Sequence, residues 1–207
     1  MEVREYESGK EGITRLILGG VHGNEGRVSK KILEKIAPNP SEGKVVIIPN
    51  LNISRRGYIS TLDKNYTRSP TGRMHRSVLE RYKPDVVVEL HAFNSEGYKS
   101  LIDKDRMNKK GVPRMVPYRE DLPMEDQVLH GGPPPWIKNK FKEHASYITL
   151  EVHEDYGKEA EKAFLFVLNA VISSKSVNEI RDRLKGEYQA SMKKAGSLLQ
   201  DYLSRSD

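Results

Sequence analysis

The sequence predicts one α/β domain over residues 1–207, built on a mixed, mostly parallel sheet with helices on both faces. Its length is typical of a single domain and suffices for a hydrophobic core. Short apolar runs alternate with longer stretches of helical periodicity, which is the pattern of consecutive strand–helix–strand units. We expect the core of the domain at residues 14–157 and C-terminal helices at residues 158–205.

The first half of the core contains two predicted strands and one helix. Residues 14–18 form an apolar run that ends at two glycines, and residues 26–36 repeat apolar side chains at helical spacing. Residues 44–48 include the run Val-Val-Ile-Ile without polar alternation, which indicates a strand buried on both faces. Residues 50–72 are polar and aperiodic, and a loop of this length in a compact domain is usually functional or disordered.

The second half continues the same alternation. We expect a helix at residues 73–82, which ends before Pro84, and a buried strand at residues 85–90. Residues 92–136 are rich in glycine and proline, so they are expected to run irregularly over one edge of the sheet. Residues 147–152 form the fourth predicted strand.

Two helices are predicted after the last strand. Residues 158–173 are apolar on nearly all sides towards their end, which indicates a buried helix. A long last helix begins with the capping box Ser176-Val-Asn-Glu179. It carries one apolar stripe, which consists of Val177, Ile180, Leu184, Tyr188, Ala195, Leu199 and Tyr202. Such a stripe most often packs on its own domain, and a helix–helix dimer seam is the alternative, so a homo-oligomer stays open.

Composition limits the classes of function. The net charge is +6, but lysine and arginine are spread along the chain and aromatic residues are 7% of it, so no nucleic-acid partner is expected. Absence of cysteine excludes thiolate metal ligands and cysteine nucleophiles. The chain begins with charged residues, and its longest apolar stretch is far below the ~20 residues of a membrane span. We therefore expect a cytoplasmic protein without a membrane partner.

Histidine and glutamate residues, whose side chains can bind metals and transfer protons, follow three of the predicted strands. His22 and Glu25 lie in the glycine-rich turn after the first strand, and the glycine spacing there does not match a nucleotide-binding loop. His91 ends the third strand, at the edge where open α/β sheets bind ligands. Glu151 ends the fourth strand, and His153 shares its face by strand alternation.

Each of these residues alone has an ordinary structural explanation. His22 and Glu25 fit a solvated turn, His91 fits a hydrogen bond to a loop, and an ion pair would explain a carboxylate at the end of an apolar strand. Together they predict more. Two histidines and one glutamate are the three protein ligands of a catalytic zinc site with an open fourth position. Glu151 then supplies a separate general base.

The order of these motifs resembles the zinc carboxypeptidase superfamily, in particular its aspartoacylase and succinylglutamate desuccinylase branch. The matching segments are His22-Gly-Asn-Glu25, Pro49-Asn-Leu-Asn52, Arg55-Arg-Gly-Tyr58, Asp63-Lys-Asn65, Glu89-Leu-His91 and Thr149-Leu-Glu151-Val. The chain departs from the family at Tyr66, where the family has arginine, and at Glu89, where it has aspartate. The C-terminal β domain of aspartoacylases is not expected.

The resemblance implies a carboxypeptidase-like fold and a zinc-dependent amide hydrolase with one Zn²⁺ held by His22, Glu25 and His91. Glu151 is then the general base. The resemblance also assigns roles to the long polar loop. Arg56, or Arg55 beside it, would stabilise the oxyanion, and Asn65 and Arg68 would bind a carboxylate of a small-molecule substrate.

Two other functions remain as alternatives. The departure at Tyr66 is compatible with a non-catalytic module that binds zinc or another ligand on the same fold. The positive net charge is compatible with nucleic-acid binding, which would weaken steeply with added salt.

Overall fold

The computed structural model describes residues 1–22, 25–52, 59–141 and 146–205, and it confirms the predicted α/β fold. The strands are β1 (Arg4–Glu7), β2 (Thr14–Gly19), β3 (Lys44–Ile48), β4 (Val86–Phe93), β5 (Val116–Pro117), β6 (Val128–Gly131) and β7 (Ser146–His153). The helices are α1 (Gly26–Leu33), α2 (Pro70–Tyr82), α3 (Ser95–Ile102), α4 (Arg106–Lys110), α5 (Lys158–Ser173), α6 (Val177–Glu187) and α7 (Gln189–Ser204). None of the described helices combines the length and apolar character needed to cross a bilayer.

The described strands form one mixed sheet in the order β1-β3-β2-β4-β7-β6-β5. Its centre is parallel, because β3, β2, β4 and β7 pair in the same direction, whereas β1, β6 and β5 pair antiparallel. The parallel strands therefore end at one edge. The register places His91 of β4 opposite Glu151 of β7 at that edge.

Strand alternation assigns the side chains of β4 to two different cores. Val86, Val88 and Leu90 pack in the larger core, which includes apolar residues of α1, α5 and α6. Val87 packs in the smaller core on the opposite face, which includes residues of α2 and of the 3₁₀ helix Pro135–Phe141. Because successive side chains point to opposite faces, Glu89 and His91 share the face of Val87. The candidate site therefore lies on the α2 side of the sheet.

Residues 92–136 contain more regular structure than the sequence indicates. They include α3 and α4, and β5 and β6 extend the sheet beyond β7. Phe93, Met115 and Leu129 form a small buried cluster there, against which Leu101 and Met124 pack. These elements are short, so their apolar periodicity is too brief to stand out from the surrounding glycine and proline.

The predicted last helix consists of two helices that meet at Tyr188. This residue leaves helical geometry, with φ −124° and ψ 48°, and separates α6 from α7. Its ring packs against the ring of Tyr118 at a centroid distance of 4.5 Å and meets Phe166 edge-on at 5.6 Å. The apolar stripe therefore packs on its own domain around a bend, and the aromatic contacts hold that bend in place.

Candidate functional site

Two glycines turn the chain from β2 towards α1 and place His22 at the edge of the sheet. Gly20 has a φ of +59°, in the left-handed region that favours glycine. A side chain at Gly20 would also collide with Asn50. His22 follows this turn and Glu25 immediately precedes α1. The turn thus requires glycine, and it positions both polar residues beside the end of β4.

His22, Glu25 and His91 contact one another at this edge. The rings of His22 and His91 stack with centroids 5.1 Å apart. The Oε2 atom of Glu25 accepts a hydrogen bond from the His22 backbone N–H at 3.0 Å and lies 3.2 Å from Nδ1 of His91. In the described residues, no three His, Asp or Glu side chains are already arranged as a metal-binding group. The structure therefore brings the three predicted ligands together and joins Glu25 to His91 by a hydrogen bond.

Glu89 holds the other side of the His91 ring. Its carboxylate is buried, and its Oε2 accepts a hydrogen bond from the Tyr147 hydroxyl at 2.6 Å. Its Oε1 lies 3.4 Å from Nε2 of His91. The imidazole is therefore held between two carboxylates, with Nε2 towards Glu89 and Nδ1 towards Glu25.

Burial and neighbouring charges set the protonation of this cluster. Burial opposes ionisation of Glu89, but the charge of His91 and the hydrogen bonds to the carboxylate lower the pKa of Glu89 to about 2. Burial also opposes a charge on His91, but Glu25 and Glu89 raise the pKa of His91 well above its ordinary value. Burial and the charge of His91 lower the pKa of His22 to about 4. At neutral pH the cluster therefore contains neutral His22 beside a charged Glu89–His91 pair.

A second layer of buried rings lies beneath these residues. His75 of α2 is completely buried, and its Nδ1 lies 3.0 Å from the Tyr66 hydroxyl and 3.9 Å from Oε1 of Glu89. The Tyr66 ring also meets His22 edge-on, with centroids 6.4 Å apart. Tyr66, where the resembling family has arginine, is thus an internal packing residue that supports His22.

Glu151 stands beside His91 on the neighbouring strand and faces a cavity of about 1110 Å³, called the cleft below. The lining of the cleft includes His22, Glu25, His91, Glu151, residues 60–63 and side chains between residues 106 and 116. Burial and the negative charge of Glu25 raise the pKa of Glu151 to about 7, against the opposing effect of His91. This carboxylate therefore exchanges a proton near neutral pH, as a general base requires.

Three other residues predicted from the sequence, Asn65, Arg68 and His153, are not among those that line the cleft. Asn65 and Arg68 are exposed and are not among the lining residues in the described part of the chain. Arg55 and Arg56 lie outside the described residues. His153 is buried away from the lining, where its ring meets Phe93 edge-on at 5.7 Å.

Comparison with protein families assigns the chain to a family. Residues 10–204 match the family described as "Uncharacterized protein conserved in archaea (DUF2119)". The chain belongs to this archaeal family. A relative from Methanocaldococcus jannaschii, "Uncharacterized protein MJ0501", is 31% identical over 199 residues, which cover 94% of this chain and 93% of the relative.

Solved structures that are similar to this member of the archaeal family share less sequence identity with it than the archaeal relative does. An aspartoacylase family protein from Mesorhizobium loti is 17% identical, with a TM-score of 0.45 over 84% of this chain and 62% of that chain. A metallo-carboxypeptidase from Pseudomonas aeruginosa, in complex with (2-guanidinoethylmercapto)succinic acid, is 14% identical, with a TM-score of 0.37 over 98% of this chain and 61% of that chain. The chain therefore spans about three fifths of the length of these structures.

Three residues around the site have roles that the sequence did not reveal. Tyr147 shares the face of Glu151 by alternation, so the pattern of β7 contained a signal for its inward direction. His75 looks like an ordinary helix residue, and its contact with Glu89 depends on how α2 packs on the sheet. Arg106 lines the cleft from α4, in a segment whose periodicity is too weak to place it.

Proposed function

We propose that this protein is a zinc-dependent hydrolase that cleaves an amide bond next to a free carboxylate, in an N-acyl amino acid or at a peptide C-terminus. The observation that carries the proposal is the mutual contact of His22, Glu25 and His91. Glu151 stands on the adjacent strand and lines the same cleft. The proposed partner is a small molecule, and the proposal involves neither nucleic acid nor a membrane.

The side chains at the strand edge fit one zinc ion chemically. Imidazole nitrogen and carboxylate oxygen are common zinc ligands, and two histidines with one glutamate leave a coordination position open. Nε2 of His91 faces the Glu89 carboxylate, so its Nδ1 is the nitrogen directed towards Glu25. A carboxylate that orients a ligating histidine in this way also makes the imidazole a better ligand. When bound, zinc would acidify a water molecule and polarise the scissile carbonyl.

Glu151 supplies the proton transfers of the proposed reaction. Its carboxylate takes a proton from the attacking water and then gives that proton to the leaving nitrogen, so it acts first as base and then as acid. A pKa of about 7 suits both halves of this cycle, because the group is neither too weak a base nor too weak an acid at neutral pH.

The substrate carboxylate and the oxyanion of the tetrahedral intermediate are both negatively charged, so each requires a cation or an amide N–H donor. The family resemblance proposes Arg56, or Arg55, as the donor to the oxyanion of the tetrahedral intermediate. It proposes Asn65 and Arg68 for the substrate carboxylate, where a planar guanidinium binds two oxygens at once. These roles remain proposals from the sequence.

A substrate panel tests the proposed function. Zinc-loaded protein is assayed on N-acyl amino acids and dipeptides, each beside its C-terminal amide as a matched neutral control. We expect hydrolysis that is faster for the free acids than for the amides. Equal turnover of acids and amides would contradict the carboxylate requirement. Absence of turnover on every substrate at full zinc occupancy would contradict the hydrolase.

One observation favours a second candidate, a non-catalytic binding module on the same fold. The carboxylate of Glu25 already accepts a hydrogen bond from the His22 backbone N–H and contacts His91. The proposed ligands therefore already satisfy one another by hydrogen bonds. Full zinc occupancy without hydrolysis in the panel described above is the outcome expected of such a module.

A further inference from the structure

Arg106 is a cation in the wall of the cleft that the proposed function does not use. It begins α4 and is partly buried, and its Nη1 donates a hydrogen bond to the carbonyl oxygen of Pro113 at 2.9 Å. Its Nε is buried without a hydrogen-bond partner. Within the described part of the chain, no carboxylate forms an ion pair with this guanidinium. A partly buried guanidinium without such a partner retains unused capacity to bind an anion.

Arg106 and Glu151 face the same cleft without touching. Both residues line the cavity, and each is close enough for its charge to act on the other. Burial lowers the pKa of Arg106 against the opposing charge of Glu151, and burial raises the pKa of Glu151 against the opposing charge of Arg106. No ion pair joins the two side chains. The cleft therefore has the proposed base and this guanidinium in its lining, where one bound ligand can reach both.

The loop behind Arg106 is held in place by local structure. Gly111, with a φ of +72°, ends α4, and the Met115 backbone N–H donates to the Leu101 carbonyl at 2.8 Å. Val112 and Met115 are buried, so this loop is anchored at two points. The carbonyl of Pro113 therefore holds the guanidinium in a fixed position, and such preorganisation favours binding because little freedom remains to be lost.

Two further cations without ion-pair partners lie close to Arg106 in sequence. Lys110 and Arg114 also line the cleft, and neither forms an ion pair with the part of the chain that the structure describes. Lys109, in contrast, binds Asp103 at 2.6 Å. Three cations that line one cavity repel one another, and an anionic ligand would offset that repulsion.

We propose that Arg106 is a specificity-determining residue that binds a carboxylate or phosphate group of the substrate in the cleft that Glu151 also lines. Lys110 and Arg114 attract the same group from the rim. This inference rests on the proposed function in taking the ligand to be the substrate on which Glu151 acts. It differs from the sequence-based assignment of the substrate anion to Asn65 and Arg68, which are exposed outside the lining residues.

Anion binding tests the inference without any turnover. Succinate, inorganic phosphate and neutral succinamide are titrated into the protein by NMR, both after chelation of metals and after loading with zinc. The variants are Arg106→Gln and, as a matched control for net charge, Arg119→Gln, because Arg119 is exposed and pairs with Asp121 at 2.6 Å. We expect wild type and Arg119→Gln to bind an anion equally. We expect Arg106→Gln to bind it at least about tenfold more weakly, with little binding of succinamide by any variant.

The two anions distinguish the group that is recognised. Tighter binding of succinate indicates a carboxylate on the substrate, and tighter binding of phosphate indicates a phosphate ester. Equal anion affinity of Arg106→Gln and Arg119→Gln would overturn the inference, as would a wild type that binds neither anion at tens of millimolar. If Arg106→Gln does not fold, Arg106→Lys carries the test: we expect about threefold weaker binding, because lysine keeps the charge but loses the planar fork. Affinity equal to wild type in that variant would overturn the inference.

Kinetics separate this inference from the proposed function. On any acid that the zinc-loaded protein hydrolyses, Arg106→Gln should raise KM for the anionic substrate and leave KM for its neutral amide unchanged. A protein that binds anions through Arg106 but hydrolyses nothing would contradict the hydrolase and support the anion site. Hydrolysis in which Arg106→Gln leaves KM for the anionic substrate unchanged would support the hydrolase and contradict the anion site.

Discussion

The two ends of the parallel strands bury charged groups in different ways. At the N-terminal end, Arg15 of β2 is completely buried, and its guanidinium donates to the carbonyl oxygens of Ile13 and Glu42 at 3.0 Å each and to that of Ser174. At the C-terminal end, the charged side chains of Glu89 and His91 contact each other. Arg15 therefore hydrogen-bonds to backbone carbonyl groups, whereas Glu89 and His91 interact mainly with other ionisable side chains.

This difference separates a structural charge from a chemical one. Arg15 ties together three chain segments that are distant in sequence, and the oxygens that it binds do not titrate. At the other end, the side chains that lie against one another, those of Glu89, His91 and His75, all titrate. Buried ionisable side chains that shift one another's pKa values are typical of sites whose residues serve a reaction or a ligand. We therefore expect the larger losses of stability from substitutions at the N-terminal end and the losses of function from substitutions at the C-terminal end.

The largest expected effect is the loss of turnover in Glu151→Gln. The amide has nearly the shape of the carboxylate but cannot accept the proton of the attacking water, so kcat should fall by about 10³-fold while zinc stays bound. The control is Glu154→Gln, because Glu154 also lines the cleft but is exposed. Steady-state kinetics and metal analysis of both variants check this. A Glu151→Gln variant with wild-type activity would place the base elsewhere.

The next effect is a loss of stability in Arg15→Met. This substitution removes the guanidinium donor from the carbonyl oxygens of Glu42 and Ser174, whereas the Ile13 carbonyl keeps the Lys44 backbone N–H. We expect the free energy of unfolding to fall by about 3 kcal/mol. Arg4→Met on the edge strand β1 is the matched control, because Arg4 pairs with the exposed Glu2, and we expect a change below about 0.5 kcal/mol. Urea denaturation measures both. Equal stability of the two variants would contradict the structural role of Arg15 at the N-terminal end of the strands.

Tyr147→Phe should have a smaller effect, at the functional end. It removes the hydroxyl that donates to Glu89 in the buried layer, and we expect a loss of about 1–2 kcal/mol in the free energy of unfolding. Tyr98→Phe removes a hydrogen bond of similar length, 2.7 Å to Gln127, at a partly buried position, and we expect a smaller loss. Thermal unfolding of both variants checks the order. The reverse order would show that Glu89 does not depend on Tyr147.

The smallest effect is a pH dependence at His130, which lies on β6 opposite Leu150. Burial lowers the pKa of His130 to about 3 from an ordinary value of 6.5. The Ser191 hydroxyl donates to the Pro117 carbonyl at 2.8 Å, so Oγ accepts from Nε2–H of His130 at 2.7 Å, and the ring is neutral. Below about pH 6.5 the unfolded chain binds a proton at this residue that the folded chain does not, so stability falls as pH falls.

Between pH 7 and pH 6 this contribution amounts to roughly 0.7 kcal/mol of unfolding free energy. Wild type and His130→Gln are compared by denaturation at both pH values, because other histidines contribute to the total in each protein. We expect the stability of His130→Gln to decrease less over this interval. An identical decrease in both proteins would show that His130 titrates normally.

The strands β2, β3, β4 and β7 could be predicted from the sequence because both of their faces are buried, which produces apolar runs such as Val86 to Val88. The edge strand β1 could not. Its sequence Arg-Glu-Tyr-Glu alternates between partly buried and exposed positions, and its place depends on pairing with β3. The bend at Tyr188 escaped prediction for a related reason, because the apolar stripe continues through it and aromatic contacts from other elements fix it.

The site was predictable where it depends on strand ends and not where it depends on packing. His22, His91 and Glu151 each follow an apolar run, so parallel topology alone brings them to one edge. The contacts of Glu89 with Tyr147 and His75, in contrast, join separate elements across the smaller core. Arg106 reaches the cleft from a five-residue helix, which no local pattern directs there.

Zinc content tests the central claim most directly. Purified protein is loaded with zinc, dialysed and analysed for metal, beside His22→Ala, His91→Ala and the control His153→Gln, which is buried outside the lining of the cleft. We expect about one zinc ion per chain in wild type and in His153→Gln, and none in the two alanine variants, whose circular dichroism should stay that of a folded protein. Wild-type protein that takes up no zinc, or a His91→Ala variant that retains it, would contradict the account.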